Sequence, residues 1–221
     1  MSRDILENEE PNSLRWKIAR AREILQREGW RSYFYRIVAR CGYRRVDWYV
    51  GDLARASPPP DFDCPFSIRT LAPEDLPAYL QFRPEVDKRV FLDRLSRGSF
   101  CHAAWFDERI VSATWVSIGE AYLEFFGRDF PMTSDGVYLF DSFTLRAFRG
   151  RRIPGLIYAA TAAQLMAQGS LYAATFIEPK NRPMRRARLR DGFVRAGYAS
   201  DFRLGPLHCV RDRREPWSGR S

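Results

Sequence analysis

The run Phe140-Asp-Ser-Phe-Thr-Leu-Arg-Ala-Phe-Arg-Gly-Arg-Arg-Ile-Pro-Gly-Leu-Ile-Tyr-Ala159 passes from an apolar strand through a basic turn into a helix rich in small residues. The strand extends over Val137 to Leu145, apolar or β-favouring throughout except at Asp141 and Ser142. The helix extends over about Gly155 to Gln168, where alanines allow close backbone packing. Between them, Arg149-Gly150-Arg151-Arg152 falls where a helix N-terminus presents unpaired N–H groups. Such a terminus attracts phosphate through those groups and its dipole, and arginines add charge. The junction is therefore a candidate pyrophosphate cradle, the alternative being a solvated arginine-rich loop. A second apolar strand, Leu171 to Glu178, follows, then Asn181 and, eleven positions on, Gly192-Phe193.

These two blocks together resemble the GNAT superfamily of acyl-CoA-dependent N-acyltransferases. Members carry an (Arg/Gln)-x-x-Gly-x-(Gly/Ala) turn after their fourth strand and an Asn followed about eleven positions later by Gly-Phe. Arg149 matches the first turn position and Leu145 the aliphatic residue ending the strand, while Asn181 and Gly192-Phe193 match the second block. The resemblance extends over about Phe66 to Gly205, with motif support from Val137 to Tyr198. It implies that acetyl-CoA is the acyl donor, held by Phe143, Leu145, Arg149, Gly150, Arg151, Arg152, Gly155, Asn181 and Arg188. Two departures stand out in the turn: Arg152 takes the central glycine position and Pro154 the final Gly/Ala position. Proline lacks an N–H for phosphate but is well tolerated in a first helical turn. A third lies at Arg188, where many members have the tyrosine that protonates the leaving thiolate. A guanidinium is a poor proton donor but can stabilise a thiolate electrostatically.

The family route is direct attack by a primary amine on the thioester, without a covalent enzyme intermediate. Asp141, a carboxylate in an apolar strand, is a candidate to meet the amine and take its proton, or else the partner of a buried arginine or tyrosine. Glu178 is a second candidate and Glu124 a third, while Tyr198 and Tyr158 are phenols near the second block. Tyr122, Phe125, Phe126 and Tyr138 are candidate walls of an acceptor pocket, or plain core. His102 and Cys101 read as strand residues without a catalytic part.

The chain has 221 residues, enough to bury one sizeable core, and a net charge of +9. Arginines cluster between Arg15 and Arg45 and again after Asn181, at Arg182, Arg185, Arg186, Arg188 and Arg190. An acidic partner is implied: coenzyme A, an acyl carrier protein or anionic lipid; no nucleic-acid reader motif accompanies the arginines. The second cluster also fits a helix with a solvated basic face. Cys41, Cys64, Cys101 and Cys209 are too widely spaced, and His102 and His208 too few, for a zinc site or a disulfide framework. The acidic N-terminus lacks the apolar core of a signal peptide and no run spans a membrane, so a cytoplasmic setting is expected.

Residues 1–57 read as a basic amphipathic helical extension plus a short strand, and 58–221 as the acyltransferase domain. Ser13 caps a first helix, a second covers Ser32 to Arg40, Val46 to Val50 is a strand, and Ser57-Pro-Pro-Pro-Asp61 is the break. The helices either pack on the domain or dock a carrier protein or membrane. The expected fold is α+β, a mixed, mostly antiparallel sheet flanked by helices. Its two later parallel strands splay apart to admit the thioester. The expected activity is N-acetyltransfer to a small primary amine. The alternatives are transfer of longer acyl groups from acyl-CoA or acyl carrier protein, and a non-catalytic acyl-CoA-binding module.

Overall fold

The computed structural model describes residues 43–56, 66–123, 126–204 and 207–215. The expected N-terminal helices, the Ser57–Asp61 break, Glu124 and Phe125 lie outside the described residues. Two compact units are present; the described residues of one are 46–56, 66–123, 126–198 and 213–215, and those of the other 43–45, 199–204 and 207–212. In the smaller, Asp201 is buried and accepts a 2.7 Å hydrogen bond from His208 Nε2.

The larger unit holds the strands expected at 46–50, 137–145 and 171–178 and the helix expected at 155–168, together with others. Its strands are β1 (Tyr43–Asp52), β2 (Ser67–Thr70), β3 (Phe100–Phe106), β4 (Arg109–Ile118), β5 (Glu120–Leu123), β6 (Arg128–Pro131), β7 (Gly136–Thr144) and β8 (Tyr172–Ile177). β9 (Val194–Leu204) and β10 (Leu207–Arg214) lie only partly in it, and β1 enters it at Val46. Among the described residues the α-helices that accompany them are α1 (Leu76–Phe82), α2 (Lys88–Ser96), α3 (Ile153–Met166) and α4 (Arg182–Arg190). The sheet order is β10-β9-β1-β8-β7-β4-β3-β2, with β5 and β6 a separate hairpin. β1, the strand read at Val46 to Val50, pairs antiparallel with β8 from Asp47↔Ile177 to Asp52↔Tyr172.

β3 and β4 are joined by Asp107-Glu108, both at positive φ (46° and 59°), the left-handed pair that a two-residue hairpin requires. Along β3, side chains alternate between faces. Cys101, Ala103 and Trp105 join Tyr79, Phe82 and Phe91 beneath α1 and α2. The intervening His102 turns to α3, with Nδ1 2.6 Å from Thr161 Oγ1 and Nε2 3.0 Å from Gln164 Oε1. Burial lowers its pKa. Helix α3 buries Ile153, Ile157, Thr161 and Leu165, one per turn, against the sheet.

β7 and β8 are parallel, and their pairing covers only Gly136↔Tyr172, Val137↔Ala173 and Tyr138↔Ala174. β7 continues to Thr144 and β8 to Ile177, so the two strands part beyond Tyr138 and Ala174. On its other edge β7 pairs antiparallel with β4, and here the register slips. Ala113 faces Phe143 and Trp115 faces Phe140, leaving Asp141 and Ser142 opposite Thr114 alone. This is a β-bulge, with Asp141 at φ 43°. Bulges bend the bulged strand and re-aim its side chains.

Candidate active site

The gap between the parted strands holds a cavity of about 540 Å³, lined by Asp141, Ser142, Thr175, Glu178, Asn181 and Met184 among others. A larger cavity of about 910 Å³ lies on the α2 and β5 side, where Arg89, Arg94, Glu120 and Tyr122 contribute. The two share Leu123, Tyr138, Phe140 and Asp141. A molecule entering between the strands and one entering beneath α2 therefore meet at Asp141.

Asp141 is the partner of arginines. Its Oδ1 accepts from Arg83 Nη1 at 3.1 Å and its Oδ2 from Arg94 Nη1 at 2.6 Å. Arg83 ends α1 and Arg94 lies on α2, so one carboxylate ties both helices to the bulge. Arg83 also pairs with Glu85, and the Arg94 guanidinium lies 5.1 Å from the Trp115 ring centre. Beneath them, Tyr79 accepts from Trp115 Nε1 at 2.9 Å, and burial pushes its phenol up to about 12. Cys101 is a buried free thiol, its pKa raised by desolvation. Glu178 lines the smaller cavity and is paired with Lys180 at 2.8 Å.

At the far end of β7 the basic turn feeds α3. Gly150 and Arg152 both have positive φ (84° and 55°). Arg152 thus takes the left-handed conformation that a glycine adopts freely, which is the physical reason a glycine suits that position. Pro154 sits in the first turn of α3, where its missing N–H costs no helical bond. Among the described residues, the N–H groups of Gly150, Arg151 and Arg152 donate to no carbonyl. Arg149 Nε donates to Thr144 O at 3.2 Å, pinning the turn to the strand end. Gly155 faces Asp191, whose carboxylate would lie 3.4 Å from a Cβ at that position.

The second block also takes its place. Asn181 lines the smaller cavity and caps α4, its Oδ1 accepting from Met184 N–H at 3.2 Å. Gly192 at φ 83° lets Phe193 N–H reach Arg188 O at 2.9 Å and close the helix. Phe193 is buried, and its ring centre lies 5.1 Å from that of Tyr158.

Two of the five arginines around α4 turn inward. Arg185 Nε donates to Tyr49 Oη at 3.0 Å. Arg188 is 1% exposed, its guanidinium 5.7 Å from the Tyr158 ring centre and 5.2 Å from that of Phe193. Its nearest carboxylate is Asp191, at 3.5 Å. Burial lowers the pKa of Arg188 and raises that of Asp191, each opposed by the other's charge.

The smaller cavity thus gathers Asp141, Glu178 and Asn181 from the sequence-derived set and adds Ser142, which sequence reasoning missed. Tyr198 lines neither cavity, and Tyr158 is buried in the core. Of the aromatic candidates, Tyr122 and Tyr138 line the larger cavity while Phe126 is core.

No protein-family model and no curated protein matches the sequence. Solved structures do match in fold. A GNAT-family acetyltransferase from Colwellia psychrerythraea superposes with a TM-score of 0.55 at 12% identity, over 77% of this chain and 61% of its own. The GCN5-related glucosamine N-acetyltransferase region of a fungal multi-domain β-N-acetylglucosaminidase gives 0.54 at 13% identity, over 78% of this chain and 22% of that one. A conserved protein of unknown function from Staphylococcus epidermidis gives 0.50 at 13% identity, over 83% and 68%. The fold is that of the GNAT acetyltransferases. Among the described residues, no helix is long and apolar enough to cross a membrane.

Proposed function

We propose that this protein transfers an acetyl group from acetyl-CoA to a primary amine of a small molecule, by direct attack. The observation that carries the reading is the parting of β7 from β8 beyond Tyr138, with a cavity in the gap and a basic turn where β7 ends. Acetyl-CoA is a thioester on a pyrophosphate-bearing arm, and its two ends need those two features. The free N–H groups of Gly150 to Arg152 and the side chains of Arg149, Arg151 and Arg152 suit the pyrophosphate. Phe143, Leu145, Gly155 and Asn181 complete the proposed donor site. The unpaired stretch of β7 offers N–H groups to the thioester carbonyl.

The amine enters from the larger cavity and meets the thioester at Asp141. Nitrogen attacks the carbonyl carbon, a C–N bond forms, and the tetrahedral intermediate collapses with loss of the C–S bond. Both Asp141 oxygens already accept from guanidinium groups, so this residue orients the amine through a further hydrogen bond. The proton lost from nitrogen passes to water or to Glu178. Orientation of the two reactants is the main catalytic contribution.

The test is release of free thiol from acetyl-CoA in the presence of a panel of amino sugars, amino acid derivatives and polyamines, with mass detection of the product. The reading predicts thiol release matched by an acetylated amine. A protein that binds acetyl-CoA yet releases thiol with none of them is a binding module instead.

A further inference from the structure

The second bulge residue carries a hydroxyl whose acceptor positions are both taken. Ser142 Oγ accepts from Thr114 Oγ1 on β4 at 3.0 Å and from Arg188 Nη2 on α4 at 3.4 Å. A hydroxyl has two acceptor lone pairs and one hydrogen to donate. With both acceptors facing the protein, the Ser142 hydrogen is left for whatever occupies the cavity that this residue lines. Among the described residues, Ser142 donates to no other group.

The cation behind it is fixed. Arg188 is enclosed on all sides, the Asp191 contact is long for a charge pair, and Arg188 Nε has no hydrogen-bond partner. A buried guanidinium with an unused donor is costly to keep. Stabilising an anion formed next door would offset that cost. The other charged groups facing the cavity are engaged: Asp141 with Arg83 and Arg94, and Glu178 with Lys180.

We infer that Ser142 donates a hydrogen bond to the sulfur of the departing coenzyme, with Thr114 and the buried Arg188 holding it in place, so that coenzyme A leaves as the thiolate. The inference rests on the acyltransferase reading. In the balance of the step, the C–S bond pair goes to sulfur and the amine proton goes to water or Glu178. The thiolate is protonated in solvent after release. No proton donor equivalent to a tyrosine is needed, which accounts for an arginine at position 188. Ser142 is then a catalytic residue and Arg188 a positioning residue.

A test without the unidentified amine uses coenzyme A itself. The full-length protein is saturated with coenzyme A, and thiolate absorbance in the ultraviolet is followed against pH, with the desulfo-coenzyme A complex as blank. The bound thiol is expected to titrate at least one unit below free coenzyme A measured in the same buffer. Ser142→Ala, which removes only a hydroxyl, is expected to return it toward the free value, with coenzyme A affinity at pH 6, where the ligand binds as the thiol, changed less than about threefold. Arg188→Met gives the same direction if it folds. A wild-type thiol titrating at the free value, or a Ser142→Ala complex identical to wild type, overturns the inference while leaving the acyltransferase reading in place. Absence of coenzyme A binding overturns that reading, and this inference with it.

Discussion

Replacing Asp141 by asparagine removes a charge while leaving shape and backbone preference nearly intact. Asn, like Asp, tolerates the left-handed conformation that Asp141 adopts at φ 43°. The lost interactions are the hydrogen bonds from Arg83 and Arg94, whose side chains are 12% and 11% exposed against 25% for Asp141. Hydrogen bonds to charged groups contribute about 1.5–3 kcal/mol each. They share one partly solvated carboxylate, and Asn keeps one acceptor, so the expected loss is about 2–4 kcal/mol rather than the sum. For a domain of this size that lowers Tm by roughly 5–15 °C. Asp141→Ala should lie about 1 kcal/mol lower still, because alanine pays the left-handed penalty. A double-mutant cycle with Arg94→Gln, read by urea unfolding, should give a coupling of at least about 1 kcal/mol. An Asp141→Asn protein as stable as wild type would refute the claim that this carboxylate clamps α1 and α2 onto the bulge.

Gly136→Ala should cost about 2–4 kcal/mol by chemical unfolding, since its Cβ would collide with the Tyr172 ring and lie 2.9 Å from Met132 Cε at the base of the parted strands. His102 is buried and favoured neutral, so the unfolded chain binds more protons below its ordinary value of 6.5. Stability should therefore fall as pH drops from about 6.5 to 5, by at most about 1.4 kcal/mol per unit, and His102→Gln should flatten that dependence in thermal melts. Arg149→Ala and Arg152→Ala should each weaken coenzyme A binding about three- to tenfold at low salt, and less at high salt, because both side chains are exposed.

Much of the fold is legible in the chain because its strands and α3 are strongly patterned. The expected strand at 137–145, helix at 155–168 and strand at 171–178 appear as β7, α3 and β8, shifted by a residue or two. The site was less so. Nothing local marks the bulge, since the slip of Asp141 and Ser142 against Thr114 exists only once β4 and β7 are paired. The partners of Asp141 lie 58 and 47 residues away in sequence, on helices whose arginines look like surface charge. The basic helix after Asn181 misleads in the same manner. Arg182, Arg186 and Arg190 are exposed, as a solvated face requires, but Arg188 is enclosed, and its own residue type gives no sign of that. Ser142 carried no signal, because a lone serine in a strand is common and its two donors come from other elements.

The central claim is that the parted strands and the basic turn together form a site for acetyl-CoA. Calorimetric titration of the purified protein with acetyl-CoA tests it most directly, with octanoyl-CoA and free coenzyme A alongside. The account predicts saturable binding at one site per chain, with acetyl-CoA bound at least as tightly as the octanoyl thioester. Failure of all three to bind would contradict it.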